Sequence, residues 1–290
     1  MVKVTFVKIG YIATTTLIDV LLDERGGRKD LQMRVVSSSV SMEEDASLDV
    51  AKIAAGIPSD LYVVVSPNAA MPGPTKAREA LRATGKPIIV VSDEPSRKTL
   101  KENPVEGVGY IVVTNDPMIG AKQSFLDPVE MALFNADAIR VLAITGSFRI
   151  IQQELDKVIE QIGKGEKPTL PQVVIEKESA LAAANISNPY AQGKAMAAFE
   201  ASRRVANLST EGTFKVEEPE RYLPILAAAH ELLRQAAKTV DEAREMEKSN
   251  DTTARLAHFS KGETRKKTKL GDKFEKELLV FTTIDKEKFF

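Results

Sequence analysis

Apolar positions in the first 120 residues fall into short β-branched runs. Each run leads into a loop of glycine, proline, serine, asparagine or aspartate and then into helical spacing. The runs are Val2 to Ile9, Leu31 to Val36, Leu61 to Val65, Pro87 to Val91 and Val108 to Val113. Strands that alternate with helices predict βαβ units, whose right-handed crossovers put helices on both faces of a mainly parallel sheet. The expected fold class is therefore α/β, with a Rossmann-like sheet. In such sheets ligands sit outside the carboxyl ends of the strands, where the strand order reverses, so the loops after strands are where function is to be sought.

From Leu126 the pattern changes to long alanine-rich helices. Asp127-Pro128-Val129-Glu130 sets a cap, a proline and an acid at the start of a helix expected to reach about Ala143. A second helix runs from Ser147 to about Ile162, where Gly163-Lys164-Gly165 stops it. Val173-Val174-Ile175 reads as a further strand, Asn188-Pro189 opens a helix over Tyr190 to Asn207, and Tyr222 to Ser249 is the longest helical pattern. Seven Lys and Arg lie between Lys261 and Lys276, ahead of an expected strand at Leu278 to Ile284. The expected division is an α/β domain over 1–125, a mainly helical bundle over 126–251 and a basic, partly β segment over 252–290.

Composition narrows the chemistry. The 290 residues carry 40 Lys and Arg against 41 Asp and Glu, so no global field draws nucleic acid or an anionic membrane, and neither is expected as a partner. The absence of cysteine excludes disulfides, thiolate nucleophiles, Cys-ligated zinc and iron–sulfur clusters. With His230 and His258 the only histidines, a multi-histidine metal site or a Ser-His-Asp hydrolase is not expected, and only His230 falls in a clearly ordered pattern. The N-terminus lacks the apolar core of a signal peptide, and no apolar run approaches the ~18 residues of a membrane span. A cytoplasmic protein whose chemistry uses carboxylates, backbone or a bound cofactor is expected.

Five places offer that chemistry. The first loop, Gly10-Tyr11-Ile12-Ala13-Thr14, opens a helix whose free N–H groups suit a phosphate, and an ordinary turn with a threonine cap fits it equally. It keeps one of the three glycines of a dinucleotide fingerprint, and Val36-Ser37-Ser38-Ser39 stands where an NAD-binding fold sets an acid. The third loop, Ser66 to Lys76, is stiffened by Pro67, Pro72 and Pro74, with Pro74 suited to start a helix. It places Lys76 in an opening helical turn, where the dipole disfavours a cation unless an anion binds; a solvated lysine is the alternative. Asp93, Glu94 and Asp116 stand in later loops, where each fits a helix cap as well as a ligand. Asn135 and Asp137 interrupt an apolar helix, about 200° apart around it. An inward acid or amide there suits a pterin amino-amide edge, or simply a helix-to-helix hydrogen bond. His230 shares a face with Leu226, Leu233 and Val240, the position of a core or interface histidine more than of a catalytic one.

Several blocks resemble the coenzyme F420-dependent methylenetetrahydromethanopterin dehydrogenases of methanogenic archaea. They are Leu21-Leu22-Asp23-Glu24-Arg25, Pro72-Gly73-Pro74-Thr75-Lys76-Ala77-Arg78-Glu79, and Phe125-Leu126-Asp127-Pro128-Val129-Glu130-Met131-Ala132 with Asn135-Ala136-Asp137. Asn188-Pro189-Tyr190-Ala191, Arg221-Tyr222-Leu223-Pro224-Ile225 with His230, and Asp241 to Asp251 extend the likeness over most of residues 1–251.

The resemblance implies an α/β domain with a helical bundle and a short C-terminal β segment, assembled as a hexamer, a trimer of dimers. It implies reversible hydride transfer from methylenetetrahydromethanopterin to coenzyme F420, with tetrahydromethanopterin as the one-carbon carrier and no metal or flavin. Orientation of two rings then does the work that a nucleophile does elsewhere. By the same resemblance Gly10, Tyr11, Thr14, Asn68, Pro72 and Lys76 are candidates to hold F420, and Asp127, Asn135 and Asp137 to face the pterin, with Asp137 and His230 as electrostatic support. The chain departs from the family at Tyr11, where an asparagine is expected, and after Asp251. Two rivals remain: an F420- or pterin-binding homologue without turnover, and an NADP-dependent dehydrogenase.

Overall fold

The computed structural model describes residues 1–276. Six strands form one parallel sheet: β1 Val2–Lys8, β2 Leu31–Ser37, β3 Leu61–Ser66, β4 Ile88–Asp93, β5 Val108–Val113 and β6 Gln172–Ile175. They lie in the order β2-β1-β3-β4-β5-β6, so the sheet is doubly wound and its order reverses between β1 and β3. The five expected strands of the first 120 residues are all present, and the run at Val173 to Ile175 joins the sheet through β5. The expected strand at Leu278 to Ile284 lies outside the described residues.

Near-continuous Val and Ile runs suit strands buried on both faces. Alternate side chains divide between two cores. Val63, Val65, Ile89, Val91, Ile111 and Val113 face one, together with α1 Ala13–Glu24, α5 Pro128–Ile144 and α6 Ser147–Gly163. Tyr62, Val64, Ile88, Val90 and Val112 face the other, against α2 Glu44–Ala55, α3 Pro72–Arg82 and α4 Arg97–Glu102. The first core continues into α7 Lys177–Ala184, α8 Pro189–Thr210 and α9 Pro219–Ser249. Buried alanines, among them Ala191, Ala195, Ala198, Ala229, Ala236 and Ala243, let α8 and α9 pack closely.

The caps at Asp127 and Asn188 form as the sequence predicts, each side chain accepting two backbone N–H groups. Two expectations need correction. The helix in the third loop starts at Pro72, two residues before Pro74. His258, outside any clearly ordered sequence pattern, sits in β7 Arg255–His258, paired antiparallel with β8 Thr264–Lys267, which in turn pairs with β9 Glu275–Lys276. The basic positions of this ribbon are partly engaged. Arg265 lies 4.0 Å over the Phe259 ring, and Lys267 Nζ donates to the carbonyl of Leu270 at 2.8 Å.

Candidate functional site

The reversal between β1 and β3 brings the first and third loops together. Gly10 has φ of 80°, and a Cβ there would lie 2.8 Å from Met42 Cγ and 2.9 Å from Pro67 Cδ, so both the backbone angle and the close approach require glycine. Tyr11 is 42% exposed and its hydroxyl shares a 2.5 Å hydrogen bond with Thr16 Oγ1.

The start of α1 differs from a threonine-capped turn. Ile12 is the capping residue, and the N–H and hydroxyl of Thr14 both donate to Asp116 Oδ2, the backbone bond at 2.7 Å. The anion at the dipole of α1 is thus a carboxylate of the chain itself, delivered from the loop after β5. Asp116 is 4% exposed; burial lifts its pKa to about 6 although Thr14 and the Ala13 backbone favour the charged form. Its other oxygen, Oδ1, is buried without a partner among the described residues.

Asp93 stands at the end of β4, 5% exposed, and makes no side-chain cap to the turn that follows it. Its Oδ1 is also buried and unpartnered, and burial, reinforced by the nearby Asp116 charge, holds the carboxyl well above its ordinary range. For these two acids the sequence left helix cap and ligand equally open, and neither caps the helix that follows it. The missing signal is long-range, since Asp116 meets Thr14 across 102 residues of chain.

In the third loop, Asn68 Oδ1 accepts from Ala70 N at 3.1 Å and from Ser96 Oγ at 3.3 Å, while Ala69 N donates to Ser96 Oγ at 2.7 Å. Pro72 is the first residue of α3. Lys76 is half-exposed and ion-paired with Glu44 of α2; the bond to Glu44 raises its pKa. An anionic ligand therefore competes with Glu44 for this lysine.

The loop after β5 also ties the sheet to the helices. Thr114 Oγ1 donates to Ile175 O at 2.7 Å, Ser147 Oγ to Asn115 Oδ1 at 2.8 Å and Ser202 Oγ to Asn115 O at 2.8 Å. On α5, Asp127 is spent on capping, and Asn135 Nδ2 turns back onto Met131 O at 2.7 Å. Asp137 accepts from Arg140 at 3.1 Å, and burial raises its carboxyl despite Arg140 and Arg234. His230 of α9 sits between Phe125 and Phe134, with ring centroids 4.9 and 4.8 Å away. Burial lowers its pKa, which Glu130 at 3.7 Å only partly offsets, and its Nε2 has no described partner. It is a neutral histidine with one open nitrogen.

Among the described residues no group of three or more His, Asp or Glu is arranged to hold a metal, and no single helix is long and apolar enough to cross a membrane. A family model described as methylene-5,6,7,8-tetrahydromethanopterin dehydrogenase matches residues 2–275. The chain belongs to this family. The match includes the β7–β8 ribbon, so the likeness does not stop at Asp251, as the sequence reading had it.

An F420-dependent methylenetetrahydromethanopterin dehydrogenase of Archaeoglobus fulgidus is 49% identical over 270 residues, 93% of this chain and 98% of the relative. One from Methanocaldococcus jannaschii is 44% identical over 276 residues, covering 95% and 100%. A solved structure described as F420-dependent methylene-tetrahydromethanopterin dehydrogenase in complex with methylene-tetrahydromethanopterin and coenzyme F420 aligns with a TM-score of 0.88 at 43% identity, over 95% of this chain and 100% of that one.

Proposed function

We propose that this protein catalyses reversible hydride transfer between 5,10-methylenetetrahydromethanopterin and coenzyme F420, giving the 5,10-methenyl cation and reduced F420. The observation that carries this reading is the end-to-end correspondence with a relative solved with both compounds bound. The residues present fit such ligands. Both compounds carry ring N–H groups, and Asp116 Oδ1 is a buried acceptor with no described partner, beside the equally unpartnered Asp93 Oδ1. When bound, F420 supplies the deazaflavin ring carbon that takes the hydride.

The chain's own part is to orient and to balance charge. Gly10, Tyr11, Thr14, Asn68, Pro72 and Lys76 are proposed to hold F420 at the reversal of strand order. The backbone approach at Gly10 and the charge of Lys76 support that assignment. Asp127, Asn135 and Asp137 are proposed to border the pterin, where the Asn135 carbonyl oxygen stays available to accept while its amide donates within α5. Asp137 and His230 are proposed as electrostatic support. His230 does so as a neutral ring, which avoids setting a second cation beside the methenyl product. The carboxylate of Asp116, charged above pH ~6, adds a fixed negative charge that opposes the developing positive one.

We further propose the hexameric assembly that the resemblance implies, and a cytoplasmic location. Exposed apolar side chains on the helices, including Val129 at 64% and Leu133 at 59%, supply surface for such contacts. Anaerobic absorbance of the oxidised deazaflavin, with purified protein and the methylene pterin, tests the reaction. Bleaching with F420 that needs the pterin, and no reduction of NADP in its place, is expected. F420 binding without bleaching overturns the reading.

A further inference from the structure

On the face of the sheet opposite the bundle, a cavity of about 300 Å³ lies among α3, α4 and the start of β5. Thr75, Arg78, Thr99, Asn103, Tyr110 and Gln172 contribute its polar lining, over an apolar floor of Leu100 and Val108. Arg78 is 8% exposed, and Nη1 donates to Ala69 O at 3.0 Å. That is a neutral carbonyl; among the described residues the guanidinium forms no ion pair.

Elsewhere in the molecule buried arginine is compensated, as Arg25 is by Asp156. Arg78 is not, and burial draws its pKa down, with Glu79 raising it and Arg82 lowering it further. Neither the remaining nitrogens of Arg78 nor the Tyr110 hydroxyl is among the buried unpartnered atoms, so both groups reach the solvent of the cavity, where an anion can replace water. The Tyr110 hydroxyl, in the same lining, likewise has no described hydrogen-bond partner. Two donors of this kind on one cavity of ligand size specify an acceptor that carries negative charge.

We propose that this cavity binds a small molecule bearing a phosphate or carboxylate, held by the Arg78 guanidinium and the Tyr110 hydroxyl, at a site separate from the hydride-transfer cleft. Because Arg78 also holds Ala69 O, an occupant braces the loop that follows β3.

The test is calorimetric titration of the full-length protein with inorganic phosphate and, separately, with acetate, at constant ionic strength set with chloride. The titrations are repeated with F420 at saturation. Saturable binding of phosphate or acetate that survives saturating F420 is expected, and the better of the two names the charged group. Arg78→Gln is expected to weaken it by more than about thirtyfold, as for removal of one partner of a buried charge pair. Tyr110→Phe, which removes one oxygen and keeps the ring in the core, is expected to weaken it about fivefold. It serves as the decisive variant if Arg78→Gln does not fold. Absence of saturable binding, displacement by F420, or affinity unchanged in Tyr110→Phe overturns the proposal.

Discussion

Two buried charge clusters on the α1 side of the sheet are built to opposite rules. Near the amino end of the sheet, Arg25 of the short turn after α1 is 1% exposed and ion-pairs with Asp156 of α6. His258 of the ribbon spans Glu24 and Asp156, with Nδ1 2.7 Å from Glu24 Oε2 and Nε2 2.8 Å from Asp156 Oδ2. Since ionised carboxylates only accept, both ring nitrogens must carry protons. Burial works against the charges of Glu24, Asp156 and His258 and loses: Arg25 and His258 hold Asp156 below its ordinary range, and Asp156 and Glu24 hold His258 above its own. At the carboxyl end, Asp93 and Asp116 are as deeply buried, yet among the described residues no cation offsets them, and both are raised. The first cluster joins three segments distant in sequence; the second leaves acceptor oxygens open where a ligand belongs. Compensation of buried charge separates scaffold from site more sharply than burial itself.

The largest expected effect falls on the scaffold. Asp156→Asn leaves Arg25 and His258 without their shared carboxylate and is expected to cost about 3 kcal/mol in denaturant unfolding. A loss under about 1 kcal/mol would show that the cluster does not hold the ribbon. Because Asp156 and Glu24 are lowered and His258 is raised, this stability declines as pH falls through the folded carboxylate values. It declines again as pH rises above 6.5 through the folded histidine value.

At the site, Asp116→Asn is expected to lower kcat/KM about a hundredfold at pH 8. In the unsubstituted enzyme kcat/KM should decline below about pH 6, where Asp116 takes up a proton, and the variant should lack that limb. An acid limb that survives in the variant assigns it to another group.

Asp93→Asn should do the reverse of a scaffold change and stabilise the fold by about 1 kcal/mol at pH 8. The sign follows from its raised pKa. Above 3.8 the unfolded chain releases a proton that folded Asp93 retains, so this carboxyl subtracts stability as pH rises, and the amide does not. Equal melting temperatures of the two proteins at pH 4 and pH 8 would contradict it.

The smallest effect is at Lys76, on the exposed rim. Lys76→Ala should weaken F420 more at low than at high salt, and Glu44→Gln, by freeing the lysine, should tighten it. Fluorescence titration at two salt concentrations checks both, and salt-independent affinity would remove Lys76 from the site.

What the sequence by itself determined is local or periodic. Strands with apolar character on both faces, proline and glycine punctuation, and caps such as Asp127 and Asn188 depend on residues within a few positions, so all were legible before any fold was known. The family blocks were legible because they are strings. The helix Lys177–Ala184 is alanine-rich, but its place against the loop before α6 is set by a distant residue, Gly146, where a Cβ would lie 1.9 Å from Ala180 O. A partly β segment over 252–290 was expected, but not its strand at His258, whose order comes from Glu24 and Asp156, 234 and 102 residues away.

The roles of Asp93 and Asp116 were decided only by tertiary structure. An aspartate after a strand reads as a cap or a ligand alike, and whether its oxygens meet a neighbouring N–H, a distant helix or nothing depends on which loops the strand order brings together. Burial and pairing are properties of a position in space, and they turned two ordinary loop acids into the open acceptors of the candidate site.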